Sequence, residues 1–242
     1  MRLDKFLVST GKISRSDAGR ACRGGKVTVN GTVEKRADRA IAPETDIVTL
    51  YGERIVYRPF TYILLNKPDG VVSATEDGRE QTVLDLLPDE LRRIGLFPCG
   101  RLDKHTLGLV LLTNNGPLGH RLLSPRHHVE KRYVYTCRSP LSEDDRLLLE
   151  RGVTLDDGYT TKPARIKASE DGLSGEITLI EGKYHQIKRM LEAVDNKIVT
   201  LERVSFGPLT LDETLGRGEW RYLSDDEVAA LERAERGEET PC

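Results

Sequence analysis

Apolar positions in the first fifty residues fall into short runs with sharp punctuation between them. Leu3, Phe6, Leu7 and Val8 fit one face of a short helix. Ser14, followed three residues later by Asp17, makes a capping box ahead of a second helix. That helix turns Ala18, Ala21 and Cys22 inward and leaves Arg15, Arg20 and Arg23 facing out; Gly24-Gly25 stops it, since glycine accepts the left-handed conformation past a helix end. Val27 to Val29 predicts a strand, Asn30-Gly31 a hairpin turn, Thr32-Val33 the return, and Ile47 to Leu50 a further strand. Residues 52–60, GERIVYRPF, read as a linker, so 1–58 is expected to be a small module and 59–242 a larger domain.

The larger part has a different rhythm. Thr61 to Lys67 is an apolar strand ended by Pro68, Val83 to Leu87 predicts the start of a short helix before Pro88, and Leu107 to Leu112 is a strand closed by Asn115-Gly116. Pro117 suits the first turn of a helix running through Leu123. Val129 to Arg138 and Gly175 to Ile180 read as strands, and 142–150, 185–194 and 224–233 as helices. Strands outnumber helices without alternating regularly, which predicts an α+β fold whose larger domain is built on a mixed, mainly antiparallel sheet with flanking helices. Residues 235–242 are expected to fray.

Composition changes this picture little: 31% charged and 38% apolar residues are ordinary for a 242-residue globular chain. No apolar run approaches the roughly 18 residues of a membrane span, and the N-terminus lacks the apolar core of a signal peptide. A cytoplasmic protein without membrane contact is the expectation. The four cysteines are scattered and the histidines lack ligand spacing, so free thiols and no metal site are expected. Charge is more telling. The net value is −2, yet residues 1–40 carry ten Lys or Arg against four acids, while 224–242 carry seven acids against two arginines. A basic head of this kind points to a localised polyanion site.

Residues 100–116, GRLDKHTLGLVLLTNNG, set a charged turn directly before an apolar strand, so that a rigid element can aim a carboxylate. The string resembles the core motif of the pseudouridine synthases, in the branch that modifies ribosomal RNA and carries an N-terminal S4 domain. LNKPDGVVS (65–73), HHVEKRYVY (127–135) and EGKYHQIKRML (181–191) are similar to its other motifs in family order. RLDKFL and SRSDAGRACRGGKVTVNG resemble the S4 RNA-binding module. Asn115 and Arg132 depart from the family's usual aspartate and small polar residue.

The resemblance implies roles. Asp103 would be the catalytic residue, acting as nucleophile or as a base on a sugar proton. Lys188 would be its counter-charge, because an ionised carboxylate in a dry pocket needs one. Tyr133 would stack on the flipped uracil and assist proton removal at C5. Lys188 and Leu191, three apart on a helix, would share a face with Leu191 as pocket floor. Arg101 would fill the gap left by the extruded base in a central cleft, or pair with Asp103. Arg2, Lys5, Arg15, Arg20, Arg23, Lys26, Lys67 and His128 would contact RNA. No cofactor is implied.

SPRHHVEKRY and EGKYHQIKRM are most similar to the small-subunit branch. The expected partner is therefore 16S rRNA or a small-subunit assembly intermediate, met by a monomer. The alternatives are a 23S enzyme of the same family and a non-catalytic ribosome-assembly factor.

Overall fold

The structure, a computed structural model, describes residues 1–9, 13–55, 59–124, 127 and 129–235. The chain divides into two compact units: 1–61 with 87–96, and 62–86 with 97–242.

In the first unit, helices α1 (Leu3–Ser9) and α2 (Arg15–Arg23) cover a sheet of β1 (Val27–Val29), β2 (Thr32–Val33), β3 (Val48–Leu50) and β4 (Glu53–Ile55), in the order β2-β1-β3-β4. Ser14 caps α2 by accepting from the Asp17 amide. Asn30 and Gly31 both have positive φ, 51° and 80°, the twist that closes a two-residue hairpin between β1 and β2. Leu3, Phe6, Leu7, Ala18, Cys22, Val27, Val48 and Leu50 form one core. Asp4 is buried at its margin, where the Arg2 guanidinium holds its carboxyl below the usual range. A short helix, α3 (Asp89–Arg92), completes the unit.

The second unit is built on β5 (Tyr62–Lys67), β6 (Phe97–Cys99), β7 (Leu107–Thr113), β8 (Lys131–Cys137), β9 (Arg165–Ala168), β10 (Ser174–Leu179), β11 (Ile198–Phe206), β12 (Leu209–Thr210) and β13 (Trp220–Tyr222). Helices α4 (Gly116–Leu123), α5 (Glu143–Arg151), α6 (Gln186–Glu192) and α7 (Asp225–Glu235) accompany them. The sheet runs β13-β5-β7-β11-β8-β10-β9, with β6 added beside β7 and β12 beside β11. Among these pairings only β7–β11 is parallel, so the sheet is mixed and mainly antiparallel. All six residues of β5 are buried, which accounts for the apolar run Tyr62–Leu65, while Asn66 and Lys67 are buried polar groups at its end. Asn115, the departure from the family's aspartate, accepts from the Leu118 amide to cap α4 and donates 2.9 Å to the Tyr62 hydroxyl. An ionised carboxylate at this position could only accept, so the bond to Tyr62 would have to reverse, with the hydroxyl donating.

One edge of β7 is divided. β6 pairs with its last three residues (Cys99 opposite Leu111, Phe97 opposite Thr113), while β11 pairs with its first two, Leu107 and Gly108. The segment Gly100–Thr106 leaves the sheet between them. Gly108 is at φ +95°, and a Cβ there would lie 2.3 Å from the Arg203 carbonyl oxygen, so this crossing point admits only glycine.

The helix expected over 83–87 does not form. The Thr82 amide and hydroxyl both donate to the Asp85 carboxylate, and the Asp85 amide returns to the Thr82 carbonyl, closing a local turn. Pro88 then blocks helical continuation, and α3 starts only after it. Of the tail expected to fray, 236–242 lie outside the described residues. Among the described residues no helix is long and apolar enough to cross a membrane.

Candidate active site

Two buried cations hold the Gly100–Thr106 segment. Lys67, at the end of β5 and 0% exposed, donates from Nζ to the carbonyls of Lys104 and Thr106 at 2.9 Å and of Pro68 at 3.1 Å. Arg203, on the inward face of β11 and 1% exposed, donates to the Gly100 carbonyl at 2.7 Å and the Leu109 carbonyl at 2.8 Å. The Leu102 amide donates to Ser73 Oγ, and the Thr106 amide closes a turn on the Asp103 carbonyl. Burial lowers the Lys67 ammonium to about 8, with Asp69 and Asp103 opposing. Lys131, buried beside Arg203, is likewise lowered to about 8.

The Asp103 side chain leaves this braced segment toward α6. Its Oδ2 lies 3.0 Å from Lys188 Nζ and its Oδ1 3.6 Å from His185 Nε2. Tyr133, buried on β8 opposite Ile177 and Arg203, lines the same cavity. That cavity measures about 730 Å³, and Leu179, Ile187 and Leu201 supply apolar wall. Its volume falls within the range of small-molecule and nucleotide pockets.

A second network braces the turn before α6. Glu181, buried, accepts from the Tyr159 hydroxyl at 2.6 Å, the Lys162 amide at 2.9 Å and Gln186 Nε2 at 2.6 Å. Gln186 in turn accepts from the Lys183 amide. His185 takes a left-handed conformation (φ 50°) at the helix start, which turns its ring toward Asp103. Arg189 is drawn away to Asp156 and Asp157, so the two neighbouring cations of this helix serve different partners.

The structure thus brings Asp103, Lys188 and Tyr133 to one cavity, with Arg101 exposed on its lining. Arg101 forms no ion pair with Asp103 among the described residues. Two expected site residues are displaced. Leu191 is buried but does not line the cavity, because the cavity meets only the first turn of α6 and Leu191 lies roughly 4.5 Å further along the axis. Ile187 takes the apolar place. Lys67 cannot touch a phosphate, since its ammonium is enclosed and its donors are spent on three carbonyls. His128 lies outside the described residues. In the first unit Arg2, Lys5, Arg15, Arg20, Arg23 and Lys26 are all exposed, with Arg2 paired to Asp4 and Arg20 to Asp17.

His185, Arg203 and Glu181 were not foreseen as site residues. Arg203 carried a signal: it shares a strand face with Leu201, and an arginine on an apolar face is a buried one. Among the described residues no cluster of three or more His, Cys, Asp or Glu is placed to hold a metal ion.

The chain is similar to known proteins over nearly its whole length. The RNA pseudouridylate synthase family profile matches residues 61–193, and the S4 domain profile matches 1–47. An uncharacterized RNA pseudouridine synthase of Bacillus subtilis is 47% identical over 96% of this chain and 98% of its own length. The ribosomal small subunit pseudouridine synthase A of Escherichia coli is 41% identical over 96% of this chain and all of its own. A crystal structure described as a pseudouridylate synthase superposes with a TM-score of 0.67 at 37% identity, covering 96% of this chain and 99% of the other. The chain, carrying an S4 domain at its N-terminus, belongs to the RNA pseudouridylate synthase family.

Proposed function

We propose that this enzyme isomerises one uridine of small-subunit (16S) ribosomal RNA to pseudouridine. The observation that carries the chemistry is the Asp103 carboxylate, held by Lys188 at 3.0 Å on a cavity that Tyr133 also lines. The choice of RNA is supported by the 41% identity, over nearly the whole chain, to enzymes described as acting on the small ribosomal subunit.

A uridine inside a helix is out of reach of a carboxylate in a cavity, so the nucleotide must first swing out, at a cost of a few kcal/mol. Arg101, exposed beside Asp103, is suited to occupy the vacated place. Asp103 then acts either on the nucleotide as a nucleophile or on a sugar proton as a base. In either route the N1–C1′ bond breaks, the uracil turns, C5 bonds to C1′, the C5 proton leaves and N1 gains a proton, so the product is an isomer. Tyr133 supplies a flat ring against the base and a hydroxyl to help remove the C5 proton. Asp103 and Tyr133 are both in place, which favours an enzyme over a non-catalytic assembly factor. The exposed cations Arg2, Lys5, Arg15, Arg20, Arg23 and Lys26 serve RNA affinity and register, with no part in base choice. The enzyme acts as a monomer in the cytoplasm.

The test is tritium release from RNA labelled at uracil C5, offered as unmodified small-subunit RNA or, in parallel, large-subunit RNA. Release from small-subunit RNA alone is expected. Release from large-subunit RNA alone would reassign the substrate, and tight binding with no release from either would sink the enzymatic reading.

A further inference from the structure

At 73% exposure, Tyr184 is the most exposed large apolar side chain among the described residues, and it sits on the lining of the active cavity. No core packing holds it there. One ring face lies against His185, with centroids 3.8 Å apart and planes 18° from parallel, which leaves the other face to solvent. His185 is itself the residue whose Nε2 stands 3.6 Å from Asp103. The two rings therefore form a short stack that begins at the carboxylate and ends in solvent.

We propose that this stack is a platform for the nucleobase next to the extruded uridine: that base lies on the outer face of Tyr184. The inference rests on reading the cavity as an RNA site and adds a second nucleotide to it. Three observations favour a base over any other occupant. The 3.8 Å ring separation is close to the roughly 3.4 Å rise between successive bases, so an RNA base continues the column in register. Lys183, Lys162 and Arg101 lie on the same lining and supply positive charge for the phosphates on either side. Lys183 Nζ is held 4.3 Å from the Tyr159 ring centroid, which keeps that charge beside the platform. Tyr133, by contrast, is buried inside the cavity, so the two tyrosines meet different nucleotides. Every base has a π-face, so the platform adds affinity and aligns the strand without selecting a sequence.

The experiment compares the full-length parent with Tyr184→Ala, Tyr184→Leu and Tyr184→Phe, using unmodified small-subunit ribosomal RNA transcribed in vitro. Loss of the ring in the Ala and Leu variants is expected to weaken RNA binding by about 10- to 100-fold and to raise KM in proportion, with kcat changed far less. Tyr184→Phe, which keeps the ring, should restore the parent's affinity. An exposed ring contributes little to folding, so thermal midpoints should match. Parent-like affinity in Tyr184→Ala would overturn the proposal. So would an equal loss in Tyr184→Phe, which would assign the effect to the hydroxyl, or a fall in kcat at unchanged affinity, which would mean the ring works through His185. A parent that binds this RNA but releases no tritium would sink the assignment of function, while the affinity series would still decide the platform. A parent that does not bind the RNA at all would sink both.

Discussion

Lys188 Nζ stands 3.0 Å from Asp103 Oδ2, while His185 Nε2 approaches the other carboxylate oxygen at 3.6 Å. Both partners come from the first turn of α6 and the residue before it, on the opposite side from the segment that carries the aspartate. One short stretch of chain therefore approaches both oxygens, with the Lys188 ammonium in direct contact with one of them.

Asp103→Asn keeps the size of the side chain and removes its charge. Turnover should be lost while RNA affinity stays within a few-fold of the parent, read by tritium release and by filter binding. An asparagine variant that still turns over would remove Asp103 from the chemistry.

Lys188→Met removes the cation and keeps most of the stem. The carboxylate loses its nearest counter-charge, so kcat should fall by about a hundred-fold with a smaller change in KM. Lys188→Arg, which restores the charge on a longer side chain, should recover part of the loss. If Met and parent have the same kcat, the 3.0 Å contact has no part in the reaction.

Lys67 gives a stability prediction with a definite sign. Burial lowers its folded value to about 8, below lysine's ordinary range. Between those values the unfolded chain binds a proton that the folded chain has released, so stability from this residue rises with pH, by at most about 1.4 kcal/mol per unit. Lys67→Met lacks the titration. The stability difference between parent and Lys67→Met should thus be flat below pH 8 and grow in the parent's favour from there toward pH 10, as read by urea midpoints. A flat difference across that window would show that Lys67 keeps its proton throughout.

Gly108→Ala places a methyl group where the Arg203 carbonyl stands 2.3 Å away, at a φ that disfavours any side chain. The β7–β11 pairing would have to open. A loss of about 1–3 kcal/mol is expected, together with reduced turnover because the displaced strand carries Arg203. Unchanged thermal and kinetic behaviour would show that the crossing point tolerates a Cβ.

Arg15, Arg23 and Lys26 are exposed on the first unit. Replacing all three by alanine should weaken RNA binding and lower the slope of log affinity against log salt by up to about 2.7 if each meets a duplex phosphate. Matching slopes would place the RNA anchor elsewhere.

The first unit was legible in the sequence because each of its signals is local. The Ser14 cap and the Asn30-Gly31 turn act within a few residues of themselves, and the structure forms both, although the Asp17 carboxylate accepts from the Ser14 hydroxyl where a full capping box would have it accept from the Ser14 amide. The α+β class followed from strands without regular alternation. The braces of the site were less accessible. Lys67 reads as a surface charge at a strand end, yet two of its three acceptors lie 37 and 39 residues further on, and those of Arg203 lie 94 and 103 residues away. Only the folded sheet creates them. Leu191 shows a second limit: helical spacing places it near Lys188 but does not say how much of the helix a cavity reaches.

The division of β7's edge between β6 and β11 has a consequence for how such an enzyme can change. Seven residues, Gly100–Thr106, span the handover, and both ends of the span are anchored. One more residue there would have no ladder to absorb it and would throw the aspartate out of aim while the sheet stayed whole. Adaptation to a different RNA has room at the rim around Tyr184 and on the outer faces of α2, but the length of this bridge is locked.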